Sequence, residues 1–373
     1  MTRARPPSPE EQLTFLAKLQ RLLAEGDFTA TYKFALLIAL ADLAVELGTD
    51  SGHELVVTTR QLGERFIQLY WQQAAPYAAA LDVANAAVVL AQSHGSQAVV
   101  ITAVASFRAK TGATNAQQAM RNPAYTTLLT SVTRTVSNMP LNFMQNFGGS
   151  TDEFLYERAG RGSIRIKTDA VYCLRRFQPL VQQLTRSHWI GHIKANRLNH
   201  RVLGSGNDLE DFLFSTDRQS LIVLGQSLRK IDGSTCFYCD LAMHSADVDH
   251  FIPFSLYPRD VGQNFVLAHP ACNRSKSTML AARSHLERWL HRLDVHADNL
   301  AEIGSAAGMA VEPDVSRQVA RWSYANAMVS GSNAWRAARD FELIDASYAV
   351  CFPQLSDQRS PAGALPHHKR YLC

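Results

Sequence analysis

The sequence lacks an apolar run long enough to cross a membrane. Its longest apolar stretch, at residues 34–45, is interrupted by Asp42 and is shorter than the roughly 20 residues that a membrane-spanning helix needs. Arg3 and Arg5 lie near the start of the chain, but no apolar segment follows them, so a secretory signal is not indicated. We therefore expect a cytoplasmic protein with no membrane partner.

Cysteine is too sparse for a disulfide framework. The chain has six cysteines in 373 residues, and three of them fall into one cluster. Cys173 and Cys351 lie among apolar neighbours and are expected to be small buried side chains, whereas Cys373 is expected to be a free thiol on a basic tail. Internal repeats and low-complexity tracts are also absent, which excludes a repeat architecture.

A large net charge is missing, but the charge that is present is unevenly distributed. The formal net charge is only +4, yet residues 157–201 contain ten basic and two acidic residues, whereas residues 1–150 are close to neutral. Clustered lysine and arginine are typical of a surface that binds nucleic acid. The alternative is a solvated helix face with internal ion pairs. The residues of this segment expected to contact a nucleic-acid backbone are Arg165, Lys167, Arg175 and Arg176.

The first 139 residues are predicted to be helical. Ser8 followed by Pro9 begins a helix, Thr31 can cap a second helix that ends before Gly48, and Thr58 or Thr59 can cap a third. A short run at residues 54–58 could be a strand before the third helix, which would indicate a winged-helix arrangement. The rest of the pattern favours a plain helical bundle.

Residues 140–152, which are rich in asparagine and glycine, are expected to form a linker. After them, two alternating segments flank a turn at residues 158–162, and this pattern predicts a β-hairpin with Arg165 and Lys167 on its polar face. Further helices are predicted at residues 169–199, 217–230, 279–293 and 313–345.

One set of metal ligands lies in the segment from residue 236 to residue 276. Cys236 and Cys239 form a C-x2-C pair, and after 29 intervening residues His269 and Cys272 form an H-x2-C pair. Three thiolates and one imidazole make a closed four-ligand site of the kind that zinc prefers. The alternatives are a reduced pair without metal and a redox pair, and a redox pair would be expected beside a βαβ pattern that is missing here. Such a zinc ion would stabilise the fold and take no part in catalysis.

A second set of side chains interleaves with the first. Asp249, His250, Asn264 and Asn273 offer oxygen and imidazole groups, which suit magnesium and a general base. Taken singly, each of these residues is more often structural, because asparagine commonly caps helices and turns. Their combined spacing around the zinc ligands favours a catalytic site.

These motifs resemble those of the HNH endonucleases, which are built on the ββα-metal finger. The resemblance covers roughly residues 228–292 and rests on the C-x2-C pair, on the Val-Asp-His-Phe-Ile-Pro run that begins at Val248, on the run that begins at Asn264, and on the Cys-Asn-Arg-Ser-Lys run that ends at Lys276. His269 departs from the second C-x2-C pair of many relatives, because one sulfur ligand is replaced by nitrogen.

The resemblance implies a role for each residue of the second set. His250 would be the general base, Asp249 and Asn273 would hold one catalytic Mg²⁺ or Mn²⁺ ion, and Asn264 would fix the loop that orients the base. Lys276 would lie one helical turn beyond Asn273 and face phosphate. Arg274 and Lys276 would therefore join the DNA-contacting residues.

The resulting fold class is a mainly α multi-domain protein with an embedded α+β, zinc-stabilised ββα-metal (HNH) domain. The expected function is DNA cleavage, and relatives occur in restriction, mobile-element and phage-defence settings. The alternatives are an inactive zinc-stabilised nucleic-acid-binding module and a nuclease effector regulated by a protein partner. Since one finger cuts one strand, double-strand cleavage would need a homodimer or two visits. The predicted regions are N-terminal helices (1–139), a basic hairpin-plus-helix region (140–227), the nuclease domain (228–295), C-terminal helices (296–352) and a flexible tail (353–373).

Overall fold

The structure, a computed structural model, describes residues 5–50, 53–77, 88–203, 209–215 and 218–352. The tail predicted at residues 353–373, with Cys373, lies outside the described residues. The described chain is mostly helical with small antiparallel sheets, as expected. None of the helices in these ranges is both long and apolar enough to span a membrane.

The α-helices of the described residues follow in chain order. They are α1 (Pro9–Glu25), α2 (Tyr32–Leu47), α3 (Thr59–Gln73), α4 (Val99–Thr111), α5 (Ala116–Met120), α6 (Tyr125–Asn138), α7 (Pro140–Phe143), α8 (Thr168–Arg176), α9 (Gln178–Ala195), α10 (Leu209–Phe214), α11 (Arg218–Asp232), α12 (Pro270–Lys276), α13 (Arg283–Val295), α14 (Ala297–Ala306) and α15 (Pro313–Val329). Short 3₁₀ turns cover Arg197–Asn199, Gly262–Asn264 and Ala346–Cys351.

The strands form one three-stranded sheet and three two-stranded sheets. They are β1 (Leu55–Thr58), β2 (Asn146–Phe147), β3 (Ser150–Thr151), β4 (Tyr156–Arg158), β5 (Ser163–Ile166), β6 (Asp247–His250), β7 (Phe265–Ala268), β8 (Asn333–Ala337) and β9 (Asp340–Leu343). The larger sheet has the order β1-β5-β4, and the other pairs are β2-β3, β6-β7 and β8-β9, all antiparallel.

Two helix starts follow the predicted capping pattern. The Ser8 hydroxyl accepts the backbone N–H of Glu11, and the Glu11 carboxylate accepts that of Ser8, which satisfies two free donors of α1. Thr58 makes the equivalent pair with Gln61 at the start of α3. Thr31 precedes α2 as predicted, but its hydroxyl bonds to the Tyr70 hydroxyl at 2.7 Å and does not cap the helix.

The single helix predicted at residues 169–199 is wrong in detail, because the structure divides it into two helices. The first helix, α8, ends at Arg176, and α9 begins at Gln178 with Pro179 in its first turn. Proline has no N–H to donate to the preceding turn and clashes with it, so a helix continues poorly through this position. A 3₁₀ turn then covers Arg197–Asn199.

A first hydrophobic cluster runs from Phe15 to Leu213 and includes the segment that was expected to be a linker. Leu141, Met144 and Phe147 are buried in this cluster, so residues 140–152 are not an exposed linker. The predicted β-hairpin is present as β4 and β5. It joins β1, the strand suggested at residues 54–58, so the interpretation as a plain helical bundle is incomplete.

A second hydrophobic cluster contains residues from Leu224 to Phe352, together with Val45 of α2. The helix predicted near its end is partly wrong, because α15 ends at Val329 and Trp335 lies in β8. Trp335 packs edge-on against Tyr238 at a ring separation of 5.2 Å, which ties the β8-β9 hairpin to the segment that carries the zinc-type ligands.

A buried ionic network joins the two clusters. Arg259, in the loop after β6, contacts Glu46 of α2 at 3.0 Å and Glu312, just before α15, at 2.7 Å. Arg65 of α3 pairs with the same Glu46, and the Tyr257 hydroxyl donates to it. Although burial disfavours its charge, the carboxylates of Glu46 and Glu312 raise the pKa of Arg259. The loop after β6 is therefore held by side chains of the N-terminal helices.

Candidate active site and zinc-type centre

The site is built on two antiparallel strands followed by a short helix. β6 pairs with β7 so that Asp249 lies opposite Val266 and His250 lies opposite Phe265. His269 follows β7, and α12 begins at the next residue and packs along β6. The chain thus forms the ββα arrangement that the resemblance implies.

The C-x2-C segment forms a tight turn against β7. The Cys236 N–H donates to the Leu241 carbonyl at 2.9 Å, and the Asp240 N–H donates to the Cys236 carbonyl at 3.0 Å. Asp240 takes a left-handed conformation with φ of 58°, which aspartate tolerates better than most residues. The Phe237 N–H donates to the Leu267 carbonyl at 2.8 Å, and this bond fixes the turn to β7.

The four zinc-type ligands predicted from the sequence come together. The ligand atoms of Cys236, Cys239, His269 and Cys272 all lie within 4.8 Å of one another. His269 points Nδ1 at the Cys239 sulfur (3.3 Å), and its Nε2 lies 3.1 Å from the Ala242 carbonyl. That carbonyl can accept the Nε2 proton, which leaves Nδ1 free to bind a metal. Metal-ligating histidines typically donate their other ring N–H to a carbonyl or carboxylate in this way.

The electrostatics of the thiols also fit a cation. Burial opposes ionisation of Cys236, but hydrogen bonds from the backbone of His269, Cys239 and Tyr238 lower the pKa of its thiol to about 7. Burial and the neighbouring thiols raise the pKa of Cys272 to about 12. The neighbouring thiols therefore oppose ionisation of Cys272, and a bound cation would remove that opposition. A closed set of three sulfurs and one nitrogen fits structural zinc.

The Asp249 carboxylate is buried and bonded on one oxygen. Oδ2 accepts the Tyr238 hydroxyl at 2.5 Å and the Lys276 ammonium group at 3.0 Å. Burial and the Asp249 charge raise the pKa of Tyr238 well above its usual range, so the phenol stays protonated and donates. Elsewhere in the described chain, no group donates to Asp249 Oδ1, which leaves this oxygen open to a ligand.

Lys276 does not face phosphate as the sequence suggested. Its side chain is fully buried, and besides Asp249 it donates to the backbone carbonyl of His250 at 2.8 Å. Burial lowers the pKa of Lys276, and the Asp249 carboxylate opposes this shift. In this position Lys276 ties α12 to β6 and cannot reach a DNA backbone.

Asn273 faces Asp247, a residue that the sequence analysis did not single out. The Asn273 amide nitrogen donates to Asp247 Oδ2 at 3.1 Å, and this bond fixes the plane of the amide. Because strand residues two apart point to the same side, the alternation of β6 places Asp247 beside Asp249 on the face towards α12. The alternation of side chains along this strand could have identified Asp247 from the sequence.

The His250 ring is held by two aromatic rings and one carboxylate. Its centroid lies 4.4 Å from that of Phe265 and 5.4 Å from that of Phe254. Nε2 lies 2.5 Å from Oδ1 of Asp260, a residue in the loop after β6 that was also not singled out. No residue in the described part of the chain makes a hydrogen bond to His250 Nδ1. No fixed spacing marks Asp260 in the sequence, since its position depends on how the loop folds.

Asn264 fixes the start of this loop. Its side-chain oxygen accepts the Ile252 N–H at 2.8 Å and its amide nitrogen donates to the Ile252 carbonyl at 2.9 Å. The Asn264 backbone carbonyl accepts the Phe251 N–H at 2.7 Å. The strand therefore continues past His250 in a defined path.

The residue types at Asp249 and Asn273 fit a catalytic Mg²⁺ or Mn²⁺ ion. A carboxylate oxygen and an amide oxygen are hard ligands of the kind that these ions take. Asp249 Oδ1 has no donor among the described residues, and the Asn273 oxygen lies on the side of the amide away from its bond to Asp247. Lys276 already supplies one positive charge to Asp249, so an ion would bind the second oxygen.

The residues predicted to contact DNA lie in different environments, and some of them are buried or paired. Arg175 is buried and donates to the Ala44, Val45 and Gly48 carbonyls at the end of α2, so it stabilises the fold and cannot bind DNA. Arg165 is paired with both Glu54 and Glu157. Lys167 donates to the Glu153 carbonyl and Arg176 faces Asn326, whereas Arg274 is exposed on α12.

Comparison with known families found two matching family models. A family model described as HNH endonuclease matches residues 233–282, which confirms the resemblance. The comparison with curated proteins found no match, and neither did that with solved structures. A model described as a domain of unknown function (DUF8808) matches residues 12–208, more than half of the chain. The chain therefore belongs to the DUF8808 family, and it carries an HNH endonuclease match at its C-terminal side.

Proposed function

We propose that this protein is a metal-dependent endonuclease that hydrolyses DNA phosphodiester bonds, with a nuclease domain at residues 228–295. The observation that carries the proposal is the His250 imidazole, which is held at Nε2 by Asp260, has no partner at Nδ1 among the described residues, and lies on the strand that also carries Asp249. Phosphodiester hydrolysis requires a positioned base and a cation, and the ββα segment carries candidates for both.

The Asp260 carboxylate determines which nitrogen of His250 acts. A carboxylate accepts the Nε2–H, so the neutral ring carries its proton there and Nδ1 has the free lone pair. Nδ1 then takes one proton from water as the water oxygen forms its bond to phosphorus. The bond between phosphorus and the 3′ oxygen breaks, the departing oxygen takes a proton from solvent, and His250 later returns its proton to solvent. The products are 5′-phosphate and 3′-hydroxyl ends.

The remaining residues hold the site in place. When bound at Asp249 and Asn273, a divalent ion supplies charge neutralisation for the phosphate and the leaving oxygen. Tyr238 and Lys276 fix the Asp249 carboxylate, and Asp247 fixes the Asn273 amide. Asn264 holds the loop after β6, so that His250 and Asp260 keep their relative positions.

One active site cuts one strand, so double-strand cleavage would need a second copy of the chain or a second visit. From the family resemblance we propose a restriction, mobile-element or phage-defence setting. Regulation by a protein partner would fit the buried contacts of Arg259 and Tyr257 with Glu46, because they link the loop of Asp260 to the N-terminal helices.

The test is cleavage of supercoiled plasmid by wild-type protein with and without magnesium. His250→Ala should lower the single-turnover rate about 10²- to 10⁴-fold, the usual contribution of a positioned base. His244→Ala, at an exposed histidine in the preceding loop, is the matched control and should cut at the wild-type rate. Ligation of the products tests the predicted ends. Wild-type cleavage by His250→Ala would show that His250 is not the base.

A further inference from the structure

The N-terminal region has the topology of a winged helix. The chain passes through β1 and α3 to α6 and then through the hairpin β4-β5, and the sheet order β1-β5-β4 places the last strand between the other two. α3 and α6 pack closely, since a methyl group added to Gly63 of α3 would collide with the Thr133 hydroxyl of α6. α4 and α5 are inserted between these two helices.

The hairpin turn at residues 158–162, here called the wing, lies against both helices. The Thr59 N–H at the start of α3 donates to the Gly162 carbonyl at 2.9 Å. Arg158 donates to the Ser137 carbonyl in the last turn of α6 at 2.8 Å. The wing and α6 therefore form one continuous surface.

This surface has positive charge that is not compensated. No acidic residue occurs between Asp82 and Asp152, a segment that includes all of α6. Arg134 on α6 and Arg161 on the wing are exposed, and neither has a carboxylate within ion-pair distance among the residues that the structure describes. The other exposed positions of α6 are Thr126, Thr127, Thr130 and Asn138.

Two arginines of the adjoining sheet and helix are neutralised by carboxylates. Arg165, on the outer face of the sheet, lies 2.9 Å from Glu54 and 2.6 Å from Glu157, and Arg60 on α3 pairs with Glu64 at 3.1 Å. Arg134 on α6 and Arg161 on the wing have no such partner among the described residues, so the wing and α6 keep their positive charge.

We infer that α6 and the wing form a docking surface for double-stranded DNA, separate from the nuclease site. A helix fits the major groove of B-form DNA, and hydroxyl and amide side chains can donate to or accept from base edges and phosphates there. The wing would place Arg161 against the adjacent backbone, where phosphate contacts dominate affinity. The inference rests on the proposed function only in that DNA is the substrate.

The experiment measures the affinity of the full-length protein for a fluorescein-labelled duplex of random sequence, by anisotropy at several salt concentrations without magnesium. The double variant Arg134→Glu/Arg161→Glu should bind roughly 10- to 100-fold more weakly. The slope of log affinity against log salt concentration should fall by the amount expected for the loss of about two phosphate contacts. The control Lys194→Glu/Arg197→Glu makes the same charge change at exposed positions of the predicted basic segment. It should bind as the wild type does.

Unchanged affinity of the first variant, or an equal loss in the control, would overturn the inference, as would equal competition by single-stranded DNA. Photo-crosslinking of the wild-type protein to an iodouracil-substituted duplex gives a second measurement that does not depend on the variants. Crosslinked peptides should come from α6 and the wing, and crosslinks restricted to residues 233–282 would contradict the surface. Intact binding without any plasmid cleavage would instead refute the nuclease proposal.

Discussion

His250 Nε2 lies 2.5 Å from Asp260 Oδ1, and this contact joins the proposed base to a loop that the N-terminal helices hold. The next residue back, Arg259, is bonded to Glu46 and Glu312, and the Pro258 carbonyl accepts Arg186 of α9 at 2.8 Å. The orientation of the base therefore depends on contacts between the two hydrophobic clusters.

Replacing Asp260 by asparagine should remove the carboxylate that fixes the His250 tautomer. An asparagine amide can donate to Nε2, which would move the ring proton to Nδ1 and block it as a base. We expect Asp260→Asn to lower the single-turnover rate by about 10²- to 10⁴-fold, as loss of a carboxylate behind a catalytic histidine does elsewhere. DNA affinity and zinc content should stay at wild-type values.

The tautomer of His250 can be measured directly by long-range proton–nitrogen NMR of histidine-labelled protein. The signal of His250 is assigned by its loss in His250→Ala. Wild-type protein and Asp260→Glu should carry the proton on Nε2, and Asp260→Asn should not. Asp294→Asn, at an exposed aspartate paired with Arg317, is the matched control for the charge change. An unaltered tautomer and rate in Asp260→Asn would contradict a positioning role.

The zinc-type centre should contribute folding energy. We expect one zinc per chain by native mass spectrometry, and Cys239→Ser should fold poorly because loss of a ligand forfeits much of a binding free energy of about 10 kcal/mol. Cys351→Ser, at a cysteine outside the cluster, is the control and should keep its zinc and its unfolding midpoint. Absence of zinc from freshly purified wild-type protein would contradict this assignment.

The zinc ligands could be predicted because their chemistry and spacing are local. Two pairs, each with two residues between its members, limit the geometry strongly, and the combination of sulfur with imidazole favours zinc. The loop position of Asp260 and the burial of Arg175 had no such signal. A sequence shows that Arg175 is charged, but not that three carbonyls at the end of α2 lie within its reach. Tertiary packing decides between a DNA contact and a structural cation.

The fold shows the same division between local and long-range information. Capping residues predicted the starts of α1 and α3, because a cap bonds within its own turn. Residues 140–152 resemble a linker in composition, yet Leu141 and Phe147 are buried in the first cluster by contacts with distant helices. The winged-helix topology likewise depends on the pairing of β1 with β5, which are far apart in the chain.

Substitution of Lys276 can distinguish the buried ion pair with Asp249 from the phosphate contact predicted from the sequence. Because its buried ammonium group neutralises Asp249, Lys276→Met should destabilise the protein by about 3–5 kcal/mol, the usual result of leaving one member of a buried ion pair alone. The salt dependence of DNA binding should not change, which anisotropy measures. Arg274→Met, at the exposed basic residue of the same helix, should leave stability unchanged. A shallower salt dependence for Lys276→Met would favour the phosphate contact.

Glu312 should make the junction between the two clusters sensitive to acid. Burial favours its neutral form, but the guanidinium of Arg259 and then that of Arg65 lower the pKa of Glu312 from 4.5 to about 2. A carboxyl with a lowered pKa in the folded state stabilises the protein above its unfolded pKa, and this stability is lost as the pH falls through the folded value. Near neutral pH, Glu312→Gln should lower the free energy of unfolding by about 3 kcal/mol.

The difference between Glu312→Gln and the wild type should shrink as the pH falls from about 4.5 to about 2, because the wild-type carboxyl then becomes protonated as well. Urea unfolding at a series of pH values measures this difference. Glu302→Gln makes the same change at an exposed glutamate of α14 and should match the wild type throughout. A difference that stays constant across this range would show that Glu312 stabilises the junction by packing and not through its charge.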